Sequence, residues 1–226
     1  MEREFKRDVQ IHHLMAACGG FMGVYAIVSR MGVFGSAQTA NLIELVCEIL
    51  GRDPLEISYR VLALAIYIGA MVLFVVLEKR SSWDVKRVSI VIDLAAVAVS
   101  GFIPEGINPF AALYPVFFAS SFQWCAFKGA GSYVSATIFS TNNLKQTVTA
   151  AVEACLSRRD GEAHDKMVQK ALFFGGTLVC FHLGAAAGYG LWLLWGIRSI
   201  WACALPLCAC ALLLAGCRET VKAAAL

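Results

Sequence analysis

Six apolar runs, separated by short charged or Pro/Gly-containing turns, constrain this chain more than any other feature of its sequence. They cover roughly residues 14–29, 59–77, 88–103, 110–128, 171–192 and 200–217. In hydrocarbon no water pairs with a free backbone N–H or C=O, so runs of this length read as membrane-spanning helices that satisfy their own backbone. Composition agrees: 59% of residues are hydrophobic, 15% are charged, and the mean hydropathy is +0.68. The six runs and their turns occupy almost all of the 226 residues. The expected organisation is one transmembrane domain, 1–226, without a separate soluble catalytic or regulatory domain. A net charge of +3 with no basic, aromatic-interleaved patch excludes nucleic acid as an expected partner. Cys18, Cys125, Cys180, Cys203, Cys208 and Cys210 lie inside apolar runs, and no paired CxxC accompanies a His cluster. They read as soft apolar filler, so neither a metal nor a cofactor is expected. The N-terminal MEREFKRDVQIHH mixes acids with bases and precedes no small-residue cleavage site, so it is not expected to be a cleaved signal peptide.

Two stretches interrupt the pattern. GVFGSAQTANLIELVCEIL (32–50) and GSYVSATIFSTNNLKQTVTAAVEACL (131–156) each follow an apolar run, pass through a small, polar, β-branched loop, and open a short apolar helix at a Thr or Asn. With a shift of 102 positions, Thr39, Asn41 and Leu42 fall on Thr141, Asn143 and Leu144. Thr and Asn in that place are an N-cap signature. The helices that follow are too short for the roughly 20 residues a crossing requires, so they read as re-entrant half-helices. Irregular backbone at membrane depth is tolerated where protein or a water-filled cavity covers it, which makes the two breaks the expected place for a solute.

Placing the N-terminus inside and returning each half-helix to its side of entry leaves 15 of the 19 Lys and Arg on the cytoplasmic side. Only Arg30, Arg52, Arg60 and Arg198 then face out, which satisfies the positive-inside rule. The expected fold is therefore all-α, with six transmembrane helices and both termini cytoplasmic. Three spans per copy is an odd number, so the copies (about 1–104 and 105–226) must form a 3+3 inverted repeat, each with one re-entrant half-helix. A second match, Ile66-Tyr67-Ile68-Gly69-Ala70 with Phe181-His182-Leu183-Gly184-Ala185, points the same way. The two half-helix N-termini should then meet near the midplane, each carrying roughly half a positive charge and unpaired N–H groups. Such a place favours an anion or a hydrogen-bond acceptor.

The segments GGFMGVYAIVSRMGVFGSAQTANL and FQWCAFKGAGSYVSATIFSTNNLKQ resemble the two signature segments of the YoaK family of bacterial integral membrane proteins, a domain of unknown function. The resemblance covers essentially the whole chain and implies a multi-pass protein of the bacterial plasma membrane, with no settled activity. The family's Thr-Gly-Asn-like tripeptide is here Thr39-Ala40-Asn41 and Thr141-Asn142-Asn143. Both middle positions depart from Gly. Where the family often carries an acid, this chain has Gly23, and its Gln-Asn-Ala-Ala-Phe-Arg-like run is here Gln123-Trp124-Cys125-Ala126-Phe127-Lys128.

Asn41, Glu44 and Glu48 share one face of the first half-helix, and Asn143 and Gln146 take the matching places in the second. The candidate solute-binding residues are Thr39, Asn41, Glu44, Gln123, Thr141, Asn142, Asn143 and Gln146. Each has a structural alternative: helix capping for the Thr and Asn residues, an ion pair with Arg52 or Arg60 for Glu44, and a cross-helix hydrogen bond for Gln123 and Ser121. Asp93, inside the third apolar run, and His182, in the middle of the fifth, are the candidate coupling residues. For Asp93 the alternative is an interfacial acid beside Lys86 and Arg87, and for His182 a neutral core histidine. No nucleophile is paired with a base and no phosphate-cradling Gly loop appears, so no enzyme is expected. The expected role is a transporter or channel for a small polar or anionic solute, with membrane lipid as surroundings and a homo-oligomer compatible with the chain. The other reading is a non-transporting assembly protein or an intramembrane enzyme.

This topology is tested by cysteine labelling in a background free of the native cysteines. A Cys at Gly161 should react only with a membrane-permeant maleimide, and one at Gly106 with an impermeant reagent; the reverse pattern would refute it.

Overall fold

In the computed structural model residues 2–30, 38–51, 53–158 and 160–223 are described, and side chains as far as residue 216. The first break's loop up to residue 37, Arg52, Arg159 and the side chains of Arg218 and Lys222, all used in the topology above, lie outside the described residues.

The chain is almost wholly helical: α1 (Glu2–Ser29), α2 (Gln38–Gly51), α3 (Pro54–Arg80), α4 (Val85–Ser100), α5 (Pro109–Ala126), α6 (Thr141–Leu156), α7 (Gly161–Trp195), a 3-10 segment (Gly196–Cys203) and α8 (Ala204–Ala223). The turn residues explain the helix starts. Asp53, Asp84, Asn108 and Asp160 each accept first-turn N–H groups of α3, α4, α5 and α7. Pro54 and Pro109 occupy first-turn positions, where the missing N–H costs nothing. α1 begins at Glu2, earlier than the apolar run, because the charged N-terminus continues the same helix with an i,i+4 pair of Lys6 and Glu2 at 2.7 Å. Between α5 and α6 a minimal hairpin, β1 (Gly129–Ala130) with β2 (Tyr133–Val134), turns the chain. It departs from the expected uniform loop; Gly129 and Gly131 supply its positive φ angles.

Three helical stretches are long and apolar enough to cross a membrane: Glu2–Ser29, Pro54–Arg80 and the continuous Gly161–Gly216. The distribution of polarity is inverted relative to a soluble protein. Asp93, Gln123, Asn143 and Arg30 are buried, whereas Leu42, Ile43, Val46, Leu62, Val72, Leu144, Val148 and Leu183 are exposed. An apolar exterior around a partly polar interior fits lipid as the surrounding solvent.

The helices pack in related pairs. α1 lies along α7 and α3 along α5; α2 rests on α3 and α6 on α7; α4 packs on α5, and α8 on α1. The buried positions of α3, Ala63, Tyr67, Ala70 and Phe74, have the same spacing as Thr177, Phe181, Gly184 and Gly188 on α7. The α1–α7 contact is backbone on backbone. A Cβ at Gly20 would collide with the Phe181 carbonyl, and one at Gly184 with the Ala17 carbonyl. Ionic contacts fall into two sets. Lys86–Asp8 (3.9 Å) and Lys128–Glu78 (3.0 Å) gather near the start of α1. Near its end, buried Arg30 donates to the carbonyls of Ile103 and Pro104 (both 2.8 Å), just past α4, where a cation complements the helix C-terminus.

Gly20→Ala or Gly184→Ala should each lower thermal stability in detergent by about 1–3 kcal/mol through overpacking. Gly190→Ala, which meets open space, should be neutral or slightly stabilising by the same measurement.

Candidate functional site

The first turns of the two short helices line a single cavity. It measures 680 Å³ and is bounded by Gln38 and Thr39 of α2, Tyr67 of α3, Trp124 of α5, Phe139 and Ser140 of the approach loop, and Thr141, Asn142 and Lys145 of α6. At 14 and 16 residues these helices extend about 21 and 24 Å, short of a hydrocarbon core of about 30 Å.

α6 opens at Thr141, where its Thr/Asn motif begins, but the motif does not cap it. Ser140 precedes the helix with no side-chain hydrogen bond to the first turn. Asn143 instead folds back on its own approach loop: Nδ2 donates to the carbonyls of Ala136 (2.9 Å) and Phe139 (3.0 Å), and Oδ1 accepts from the Ser135 hydroxyl (2.8 Å). Its side chain is thereby committed to holding irregular backbone, and Ser140 leaves the first turn of α6 without a side-chain cap. α2 opens at Gln38, one residue before the expected Thr39; the residue before it is outside the described set.

Gln123, expected at the solute, is wholly buried. Its Nε2 donates to the Met15 carbonyl (3.0 Å) and the Thr137 hydroxyl (2.9 Å), which ties α5, α1 and the approach loop together. The approach loop needs this room: Thr137 lies so close to Gly19 that a Cβ there would meet its carbonyl. Ser121 likewise donates to the Tyr67 carbonyl at 2.7 Å, joining α5 to α3.

Glu44 is drawn away from the cavity by Arg60, whose Nη1 lies 2.6 Å from its carboxylate, with Glu48 at 3.7 Å from Nη2. The guanidinium also stacks 4.2 Å over Phe110. Asn41 lines a narrow recess beside Arg60, Ala63 and Phe110, separate from the main cavity. Gln146 is half-buried and does not line the cavity. The face shared by Asn41, Glu44 and Glu48 thus turns toward α3 and Arg60, so the expected apposition of Asn41 and Asn143 gives way to one of Gln38 and Thr39 with Thr141 and Asn142.

Asp93 faces the protein interior: it is fully buried on α4, receives a long 3.5 Å contact from the Ser89 hydroxyl, and leaves Oδ1 without a partner among the described residues. It does not line the cavity. His182 differs from both of its expected placements. It is exposed on the outer side of α7, with Nδ1 2.8 Å from the Leu178 carbonyl. The cause is register: burial on α7 matches α3 with a shift of 114, one less than the 115 of the sequence match, so Phe181 takes the place of Tyr67. One residue on a helix is a rotation of about 100°, enough to carry His182 from an inner face to an outer one.

The cavity also contains residues that were not among the candidate solute-binding residues: Gln38, Tyr67, Trp124, Phe139, Ser140 and Lys145. Tyr67 is 3% exposed and its hydroxyl has no partner among the described residues. Trp124 and Phe139 pack edge to face with centroids 5.1 Å apart. Among the described lining residues Lys145 carries the sole charge and none is a carboxylate. Tyr67 and Trp124 stand within apolar runs, where residue type alone does not separate a cavity wall from a lipid-facing side. Lys145, a cation in the fifth position of α6, was the one available signal.

Asn143→Ala should cost about 1–3 kcal/mol, because it strands two carbonyls and a hydroxyl in the interior. Asn143→Asp should cost more, since a carboxylate cannot donate to those carbonyls; unfolding in detergent with a circular-dichroism readout orders the two.

A family model described as "Protein of unknown function (DUF1275)" matches residues 11–213. No curated protein and no solved structure matches the chain. The chain belongs to the DUF1275 family, in keeping with its YoaK-like segments.

Proposed function

From membership of a family to which no activity is assigned, we propose that this protein carries a small polar or anionic solute across a bacterial plasma membrane, binding it in the cavity between α2 and α6. One observation carries the reading: helix N-termini from the two halves of the chain open onto the same 680 Å³ space, with Lys145 beside them and no carboxylate among the described lining residues. Two half-charges and a lysine around one cavity make a field that an anion or an acceptor oxygen relieves.

The architecture proposed with it is six spans in a 3+3 inverted repeat, each half with one re-entrant helix, and both termini cytoplasmic. Reciprocal packing supports this. Exchanging α1 with α5, α2 with α6, α3 with α7 and α4 with α8 turns each contact named above into another of the set, as a two-fold axis would. The repeated burial spacing on α3 and α7 supports it too. So does the cluster of Lys6, Lys86 and Lys128 near the start of α1, on the side the positive-inside rule makes cytoplasmic. An inverted repeat with paired broken helices is an arrangement that carriers use for a midplane site, an argument by architecture.

Proteoliposomes test the role. A panel of small anions and neutral polar metabolites should include at least one solute taken up faster than by protein-free vesicles. Lys145→Glu, which reverses the field at the cavity, should reduce that uptake about tenfold or more, while Lys166→Gln, outside the cavity, should leave it intact. Uptake at the protein-free rate across the panel would refute the carrier reading.

A further inference from the structure

Resting on that cavity as the solute site, we propose that its ligand is a monovalent organic anion in which a carboxylate is joined to a flat apolar, preferably aromatic, body. The two ends of such a molecule match the two sides of the cavity.

The polar side consists of Thr39, Thr141, Asn142 and Lys145 around two helix N-termini. Ser140 gives α6 no side-chain N-cap, and among the described residues its first N–H groups remain available to an incoming acceptor. Fixed positive charge with no carboxylate among the described lining residues disfavours a cation. A single lysine does not balance a multiply charged phosphate, whereas one carboxylate is matched by one ammonium and a pair of helix ends.

The opposite side is formed by Tyr67, Trp124 and Phe139. The Trp124 ring stands at 86° to Phe139, which leaves an aromatic wall suited to stacking or edge contact with a planar body. Tyr67 closes this side with its ring. It is almost wholly buried and lines the cavity, while its hydroxyl, itself shielded from the cavity space, has no partner among the described residues. Size agrees. A cavity of 680 Å³ lies within the range of roughly 300–1,000 Å³ typical of organic-ligand sites, and a halide or formate would leave the aromatic wall unfilled.

The test uses purified full-length protein in detergent and isothermal titration calorimetry with benzoate, its neutral analogue benzamide, and acetate. Benzoate should bind about tenfold or more tightly than either of the others. Lys145→Gln should bring benzoate down to the benzamide level without changing benzamide. Trp124→Leu and Phe139→Leu should each weaken benzoate several-fold while sparing acetate. Circular dichroism and gel filtration establish that each variant is folded; should one aromatic variant fail this check, the other and Lys145→Gln decide. Equal affinity for benzoate and acetate, equal affinity for benzoate and benzamide, or indifference to Lys145→Gln or to every folded aromatic variant overturns the proposal. Failure here is separable from failure of the carrier reading. Benzoate binding without uptake in proteoliposomes refutes transport and leaves the ligand class standing, whereas uptake of another solute by protein that does not bind benzoate does the reverse.

Discussion

A backbone that leaves the helix inside an apolar protein must find a partner for every N–H and C=O it releases, and the rest of this structure depends on how the segment between α5 and α6 meets that demand. Asn143 takes the carbonyls of Ala136 and Phe139 and the hydroxyl of Ser135, and Gln123 reaches from α5 to Thr137 and on to Met15 of α1. These bonds are made by side chains, so the helix that follows is free of them. α6 can begin with its first residues lining a cavity, because the Ser140 hydroxyl makes no bond to the first turn.

Space for that segment comes from glycine. Gly19 lets the carbonyl of Thr137 lie against α1, while Gly20 and Gly184 let α1 and α7 touch backbone to backbone. Without a hydrophobic force between helices in lipid, close van der Waals approach is what holds such a bundle, and small residues permit it. Arg60 performs the corresponding service on the other side, fastening α2 through Glu44 and Glu48 and stacking on Phe110 of α5. Neutralising those two acids removes from the neighbourhood of the cavity the charges that would repel an anion. The positive character of the site thus follows from three separate arrangements: an uncapped helix start, a lysine one turn further on, and acids paired elsewhere.

Much of the architecture was legible in the sequence because the signals are local. Apolar run lengths mark helices, Asp53-Pro54 and Asn108-Pro109 announce their starts, and the recurrence of Thr, Asn and Leu at a shift of 102 picks out α2 and α6. Three residues of the motif, Thr39, Thr141 and Asn142, line the cavity. The roles inside the motif were less accessible. Asn143 resembles a cap or a ligand equally well from its neighbours, and its three partners, although near in sequence, require a loop path that its own packing on α1 imposes.

By itself, the sequence determined that this protein is helical, rich in apolar runs, and opens two short helices at matched Thr/Asn motifs, because periodicity, turn chemistry and backbone hydrogen bonding act over a few residues. Only the tertiary structure decided which side chains surround the cavity. Tyr67 and Trp124 come to it because α3 lies along α5, and His182 is kept from it because the burial pattern of α7 is offset by one residue from its sequence match to α3. A rotation of about 100° per residue leaves hydropathy along the chain unchanged while exchanging an inner face for an outer one. Facing is therefore set by the packing of whole helices, and the aromatic wall of the cavity exists only once they have met.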